Sequence, residues 1–244
     1  MMYTFQEKII FHPQPLSKDF KFTFSRKYEE MNFKMPDGAV LNGALFKADS
    51  SKGLIFFLHG NSGSINSESM DAGTFTDLQY DFFIIDYRGF GKSDGVISSQ
   101  EQIFQDIQTV YDALKKKYNE DKIIVVGFSV GTGIASRIAS VNNPGLLILE
   151  VPYYSALDMM QHRYYILPSF ILKYKFETDE YIKDCKMPIV DFHGDDDHTI
   201  YYGSSLKLKE LFKKSDTLIT LKGQGHNGFS ENPEYLSAIK KILN

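Results

Sequence analysis

The sequence predicts an α/β protein built on a mostly parallel, eight-stranded sheet with helices on both faces, and three observations carry that expectation. Extended candidates stand at 28–35, 40–47, 53–58, 82–87, 122–127, 146–151, 188–193 and 217–222. Several contain continuous apolar runs within LIFFL, FFII, KIIVV and LLILEV, the signature of strands covered on both faces. Between them fall helical patterns such as Ile103, Ile107, Val110, Tyr111 and Leu114, spaced three and four apart. Strands and helices in alternation join through right-handed crossovers into one parallel sheet.

In chain order, the first two extended segments flank Asp37-Gly38, a hairpin turn signal. Lys115, Lys116 and Lys117 read as the solvated end of the following helix, where cations suit the dipole. The run VVGFSVGTGIA, 125–135, breaks at Gly127 and resumes with small residues, which reads as strand, sharp turn, helix. Ser129 therefore sits at the carboxyl end of a central strand, where open α/β sheets meet their ligands. Gly127 and Gly131 keep side chains away from the place where strand and helix come close. Residues 153–185 are too long for an ordinary connection. The last two strands lead into the loops of DFHGDDD and GQGHNG.

With 244 residues, 43% hydrophobic and 24% charged, the chain is read as one domain over 1–244. Its 27 basic and 31 acidic residues are spread along the chain, so no electrostatic footprint for nucleic acid stands out. Cys185 is the sole cysteine, which excludes an intramolecular disulfide and a zinc site built on several cysteines. No stretch reaches the ~18 apolar residues of a membrane span, and MMYTFQEKIIF lacks the apolar core of a signal peptide. The expected location is the cytoplasm, with membrane association if the native chain carries an N-terminal extension.

A serine hydroxyl becomes a useful nucleophile only with a base in reach and a carboxylate to orient that base. Of six histidines, His226 follows a strand in a glycine-rich loop that can place an imidazole over the sheet. His193 ends a strand and is expected to play a structural part. The acid must come from Asp195, Asp196 and Asp197, of which two should be turn formers or solvated charges. His198 beside them reads as a surface residue, and no further ligands for a metal are evident. Arg88 and Asp94 are expected to fix their loop by pairing with each other.

The order Ser129, Asp197, His226, together with FFLHGNSG at 56–63, DYRGFGKSDG at 86–95 and HGDDDHTI at 193–200, resembles the α/β-hydrolase superfamily. The likeness runs from about Tyr28 to the C-terminus and is greatest to its small-cap serine hydrolases, including lysophospholipases and protein depalmitoylases. It implies that Asp197 is the acid, four places after the histidine of the H-G-x-x-D-x-x-[VI] pattern. Relatives usually carry proline where Tyr201 stands here. The backbone N–H groups of Asn61 and Val130 would form the oxyanion hole, with His59 and Gly60 shaping the loop. Serine at the elbow differs from the aspartate of dehalogenases and epoxide hydrolases and from the cysteine of dienelactone hydrolases.

These residues imply a serine hydrolase that cleaves carboxylic ester or thioester bonds of a small-molecule acyl substrate through an acyl-enzyme, with no cofactor and no metal. A serine peptidase or amidase on the same three residues, and a noncatalytic binding scaffold, are the alternatives. Residues 153–185 would form the cap. Its YYSALDMMQHRYYILPSFILKYKF stretch, dense in Tyr, Met, Ile, Leu and Phe, would line an apolar slot over Ser129. Arg163, Lys173 and Lys175 offer peripheral contact with an anionic membrane surface. Which groups bind substrate, and the oligomeric state, are open at this point.

Overall fold

The computed structural model describes residues 6–68, 72–163 and 172–244. Eight strands form one sheet, β2 (Tyr28–Lys34), β3 (Val40–Phe46), β4 (Leu54–Leu58), β6 (Asp81–Ile85), β7 (Ile123–Phe128), β8 (Leu146–Glu150), β9 (Ile189–Gly194) and β10 (Thr217–Leu221). Each lies within one or two residues of an extended segment expected from the sequence. Their spatial order is β10-β9-β8-β7-β4-β6-β3-β2, and β3 alone runs against the others. The β2–β3 hairpin turns at Gly38, whose φ of 91° lies in the region that favours glycine. Two short pieces, β1 (His12–Pro13) and β5 (Ser62–Gly63), pair in parallel outside this sheet and were not expected.

Alternation along each central strand explains the continuous apolar runs. Leu54, Phe56 and Leu58 of β4 pack with Ile107 and Val110 of α4 (Gln100–Leu114) and Ile134 and Ile138 of α5 (Val130–Val141). Ile55 and Phe57 point the other way, into a second cluster with Phe75 of α3 (Ala72–Asp77) and Tyr235 and Ile239 of α9 (Pro233–Leu243). Both faces are covered, so every β4 residue is buried. Ser99 starts α4 by accepting from the Gln102 N–H at 3.1 Å, the usual side-chain N-cap.

β4 lies between β6 and β7. The chain leaves β4 toward one edge of the sheet and leaves β7 toward the other. The crevice beyond the carboxyl ends of these two strands is a topological switch point, where such sheets bind ligands. Ser129 follows β7 and Asn61 follows β4, so both are delivered to it.

The 153–185 segment divides. Tyr153 is buried against α5, with its hydroxyl donating to the Val130 carbonyl at 3.3 Å. α7 (Thr178–Asp184) packs beside α5, and the Cys185 thiol reaches the Ser136 carbonyl there at 3.8 Å. Burial pushes that thiol up to about 12. The part that borders the crevice is α6 (Ala156–Arg163) and residues 172–176, and residues 164–171 of the expected cap fall outside the described residues.

The 86–95 loop is not closed by the expected Arg88–Asp94 pair. Arg88 turns inward instead and grips both carboxylate oxygens of Asp106 on α4, at 2.6 and 2.8 Å, and Asp37 at 2.6 Å. Asp94 faces the other way, toward Lys18 at 2.6 Å and the Val40 N–H at 2.9 Å. A bidentate, buried arginine–carboxylate contact outweighs an exposed pair between loop neighbours. Among the described residues no helix is long and apolar enough to cross a membrane.

Candidate active site

Ser129 occupies a backbone conformation that few non-glycine residues adopt, φ 53° and ψ −120°. Its N–H donates to the Glu150 carbonyl at 2.9 Å, and its own carbonyl accepts from the N–H and hydroxyl of Thr132 at 2.9 and 2.6 Å. These bonds hold the turn from both sides and offset its strain. The glycines around it act at different places. A Cβ on Gly127 would meet the Gly131 carbonyl at 2.5 Å and the Ala135 methyl at 2.7 Å, both on α5. A Cβ on Gly131 would land on the Leu58 carbonyl oxygen of neighbouring β4. Gly131 therefore clears space for an adjacent strand, whereas the sequence suggested only close approach of β7 and its own helix.

Three side chains from separate loops meet above this turn. Asp197 Oδ2 lies 2.7 Å from His226 Nδ1, and His226 Nε2 lies 3.1 Å from Ser129 Oγ. A carboxylate can only accept, so Nδ1 carries the proton and Nε2 turns a lone pair toward the serine hydroxyl. The second oxygen, Asp197 Oδ1, accepts from the N–H groups of Thr199 and Ile200 at 2.7 and 3.0 Å. Burial alone would raise the Asp197 carboxyl. Hydrogen bonds from His193 and His226, the His226 charge and the Thr199 N–H outweigh it, and hold the group far below the usual carboxylate range.

His193 is part of this arrangement in a way the sequence did not reveal. Its Nε2 donates to the Ile200 carbonyl at 3.0 Å and stands 3.5 Å from Asp197 Oδ2, while Nδ1 faces the Ser205 hydroxyl at 2.7 Å. It is fully buried, as is Asp191 two residues earlier on β9. Burial pushes Asp191 up to about 7, against the opposing influence of His193 and the Ser205 hydroxyl. The neighbouring acids behave as turn and solvent groups. Asp195 accepts from the Gly223 N–H at 2.6 Å, and Asp196 faces His198 at 3.4 Å with both side chains exposed.

Asn61 and Val130 border the same cavity as Ser129 and His226. Val130 opens α5, so its N–H has no carbonyl one turn earlier to bind. The place of a Cβ on Gly60 is 3.7 Å from Ser129 Cβ, which sets the loop after β4 directly over the serine. His59 lies beneath it, completely buried, with Nδ1 donating to the Gly60 carbonyl at 2.9 Å and its ring 4.3 Å from that of Tyr87. Burial drives its pKa down to about 4, so it stays neutral and shapes the loop.

The cavity has a volume of about 610 Å³. Met159 and Met160 of α6, Leu172, Tyr174 and Phe176, and Ile200 supply apolar walls, and Arg163 adds a guanidinium to them. Ile9 and Ile10 of α1 (Gln6–Ile10) complete the wall. Sequence reasoning passed over this last contribution. The only available signal, IIF at 9–11, is short, apolar and indistinguishable from ordinary core.

A family model for serine aminopeptidases, S33, matches residues 49–172, just over half of the chain. The protein belongs to this α/β-hydrolase family. Among relatives of this S33 member, alpha/beta hydrolase domain-containing protein 17C of Xenopus laevis is 26% identical over 79% of the chain. The chain spans 62% of that protein's length. Uncharacterized protein R595 of Acanthamoeba polyphaga mimivirus is 24% identical over 96% of this chain and 88% of its own. The fold is that of the Pyrococcus furiosus esterase Pf2001, with TM-score 0.75, 20% identity and 96% of each chain covered. It is also that of Butyrivibrio proteoclasticus Est1E, solved with ferulic acid, with TM-score 0.67, 20% identity and 86% and 95% covered.

Proposed function

We propose that this S33-family hydrolase cleaves carboxylic ester or thioester bonds of substrates with apolar acyl chains, through an acyl-enzyme on Ser129. The observation that carries the reading is the chain of contacts, 2.7 Å from Asp197 to His226 and 3.1 Å from His226 to Ser129, ending at the floor of an apolar cavity. His226 Nε2 takes the Ser129 proton as Oγ attacks the carbonyl carbon, and Asp197 stabilises the imidazolium that forms. The tetrahedral oxyanion is met by the N–H groups of Asn61 and Val130. His226 then passes its proton to the departing alcohol or thiol. Water, deprotonated by the same imidazole, releases the acid and restores Ser129.

The family's name raises a second reading, aminopeptidase action. A peptide's α-ammonium needs a negative anchor, and the cavity wall presents a guanidinium, Arg163, of the wrong sign. That favours acyl esters over peptides with a free amino end. Contact with an anionic membrane draws on fewer charges than the sequence offers, because Lys173 pairs with Glu7.

A fluorophosphonate probe tests the reading, since an activated serine beside an oxyanion hole attacks phosphonates whatever its natural substrate. Labelling is expected at Ser129 and lost in Ser129→Ala. Folded wild-type protein that resists the probe would leave the scaffold alternative standing.

A further inference from the structure

We propose that residues 6–14, which precede the family match and carry no motif, are a working part of the site: they position Asn61 and form the wall that receives the acyl chain. This rests on the reading of Ser129 given above and adds to it a positioning element and a specificity element.

The positioning half is a set of hydrogen bonds to the loop after β4. Asn61 Nδ2 donates to the Ile10 carbonyl at 2.9 Å, and the Asn61 carbonyl accepts from the His12 N–H at 2.7 Å. One residue of the proposed oxyanion hole is thus bound by both its side chain and its backbone to the same short segment. The parallel pairing of His12 with Ser62 and Pro13 with Gly63, and the Gln14 N–H to the Gly63 carbonyl at 2.9 Å, extend the grip for two more residues. Neither the Asn61 N–H nor the Val130 N–H donates to a protein acceptor among the described residues. The Asn61 carbonyl and side chain are committed to the N-terminal segment, and its N–H is left over. An oxyanion donor acts only in the transition state, so errors in its aim appear in kcat.

The specificity half is the wall. Ile9 and Ile10 border the cavity, and Ile9 is 63% exposed, an unusual state for an isoleucine on a helix that is otherwise well tied down. α1 is fastened at its far side to the segment carrying Leu172, Tyr174 and Phe176. Gln6 Oε1 accepts from the Lys173 N–H at 2.8 Å, and the Glu7 carboxylate holds the Lys173 ammonium and accepts from the Tyr174 hydroxyl at 2.9 Å. Phe11 then wedges between Phe90, Tyr174 and Phe176, with ring centroids 5.5 to 6.5 Å away. The segment therefore links two sides of the cavity, the oxyanion loop and the apolar wall, that are 112 positions apart at Asn61 and Lys173 in the sequence.

The two halves predict different kinetic losses. With p-nitrophenyl acetate and octanoate as probes, Asn61→Ala keeps the backbone N–H but removes its brace, and is expected to lower kcat about 10-fold or more on both esters with KM changed less than about threefold, below the ~10²-fold loss of a whole oxyanion donor. His12→Pro removes the other bond to Asn61 at an exposed side chain and should reproduce the kcat loss, which guards against misfolding of the first variant. Ile10→Ala should instead lower the octanoate-to-acetate ratio of kcat/KM by about 10-fold. If Asn61→Ala and His12→Pro, labelled by fluorophosphonate and melting near wild type, retain full kcat, the positioning role is wrong. An unchanged octanoate-to-acetate ratio in Ile10→Ala overturns the wall. Wild-type protein inert to the probe and both esters would overturn the Ser129 reading itself.

Discussion

The loops after β7, β9 and β10 and the apolar wall across from them face one cavity, yet they are built on opposite terms. The loops deliver three polar side chains whose positions are fixed by backbone hydrogen bonds, a strained turn at Ser129 and a buried carboxylate. The wall is drawn from α1, α6 and residues 172–176, and apart from Gln6 and Arg163 its side chains are apolar or aromatic. The first region should respond to substitution in an all-or-none way, and the second in steps of one methylene.

The sharpest break in that contrast lies at the acid. Asp197→Asn should cut kcat by about 10⁴, as in serine proteases where the wrong imidazole tautomer is left, with Asp195→Asn and Asp196→Asn costing far less. Ester hydrolysis by the purified variants decides it, and a crippled Asp196→Asn would show the acid to be misassigned. On the wall side the response should be graded. Across p-nitrophenyl esters from acetyl to octanoyl, kcat/KM should climb, each buried methylene contributing up to ~0.8 kcal/mol. A fall beyond propionyl would mean a small pocket and would erase the contrast.

A smaller effect belongs to the scaffold beneath the reactive loops. Gly131→Ala drives a methyl into the Leu58 carbonyl and should lower stability by roughly 1–3 kcal/mol. Gly223, where a Cβ would meet nothing within 4 Å, carries only the strain of its φ of 67°. Denaturant melts of both alanine variants measure the difference, and equal losses would show that crowding at the elbow is relieved elsewhere. The last effect is a pH dependence. Asp191, pushed up to about 7 by burial, keeps its proton in the folded chain while the unfolded chain has lost it. Stability from this group is therefore full in acid and declines between about pH 4 and 7. Asp191→Asn should melt closer to, or above, wild type as pH rises over that window, and a constant difference would refute it.

How much of this the sequence disclosed follows the same division. The strands were legible because burial on two faces leaves no polar residue in LIFFL or in the IIVV that follows Lys122. Ser129 and His226 stood out as a serine and a histidine that follow strands in glycine-rich loops, whereas Asp197 was told apart from Asp195 and Asp196 only by the resemblance to the H-G-x-x-D-x-x-[VI] pattern. Their convergence at 2.7 and 3.1 Å was not, since it depends on the order of strands across the sheet. Arg88 was assigned to Asp94 because the two are close in sequence, but a guanidinium reaches far enough to choose Asp106 on the next helix. The role of His193 beside Asp197, and of residues 6–14 beside Asn61, depends on contacts that leave no periodic or compositional trace.

The grip of residues 6–14 on both Asn61 and Lys173 also bears on the order in which the molecule is made. This stretch leaves the ribosome before all of its partners at 61–63, 91 and 173–174. Closing so long a loop costs chain entropy that only a formed surface can repay. The sheet and the serine turn can assemble while residues 6–14 wait, so a piece made before most of the fold is the one that seals the cavity at the end.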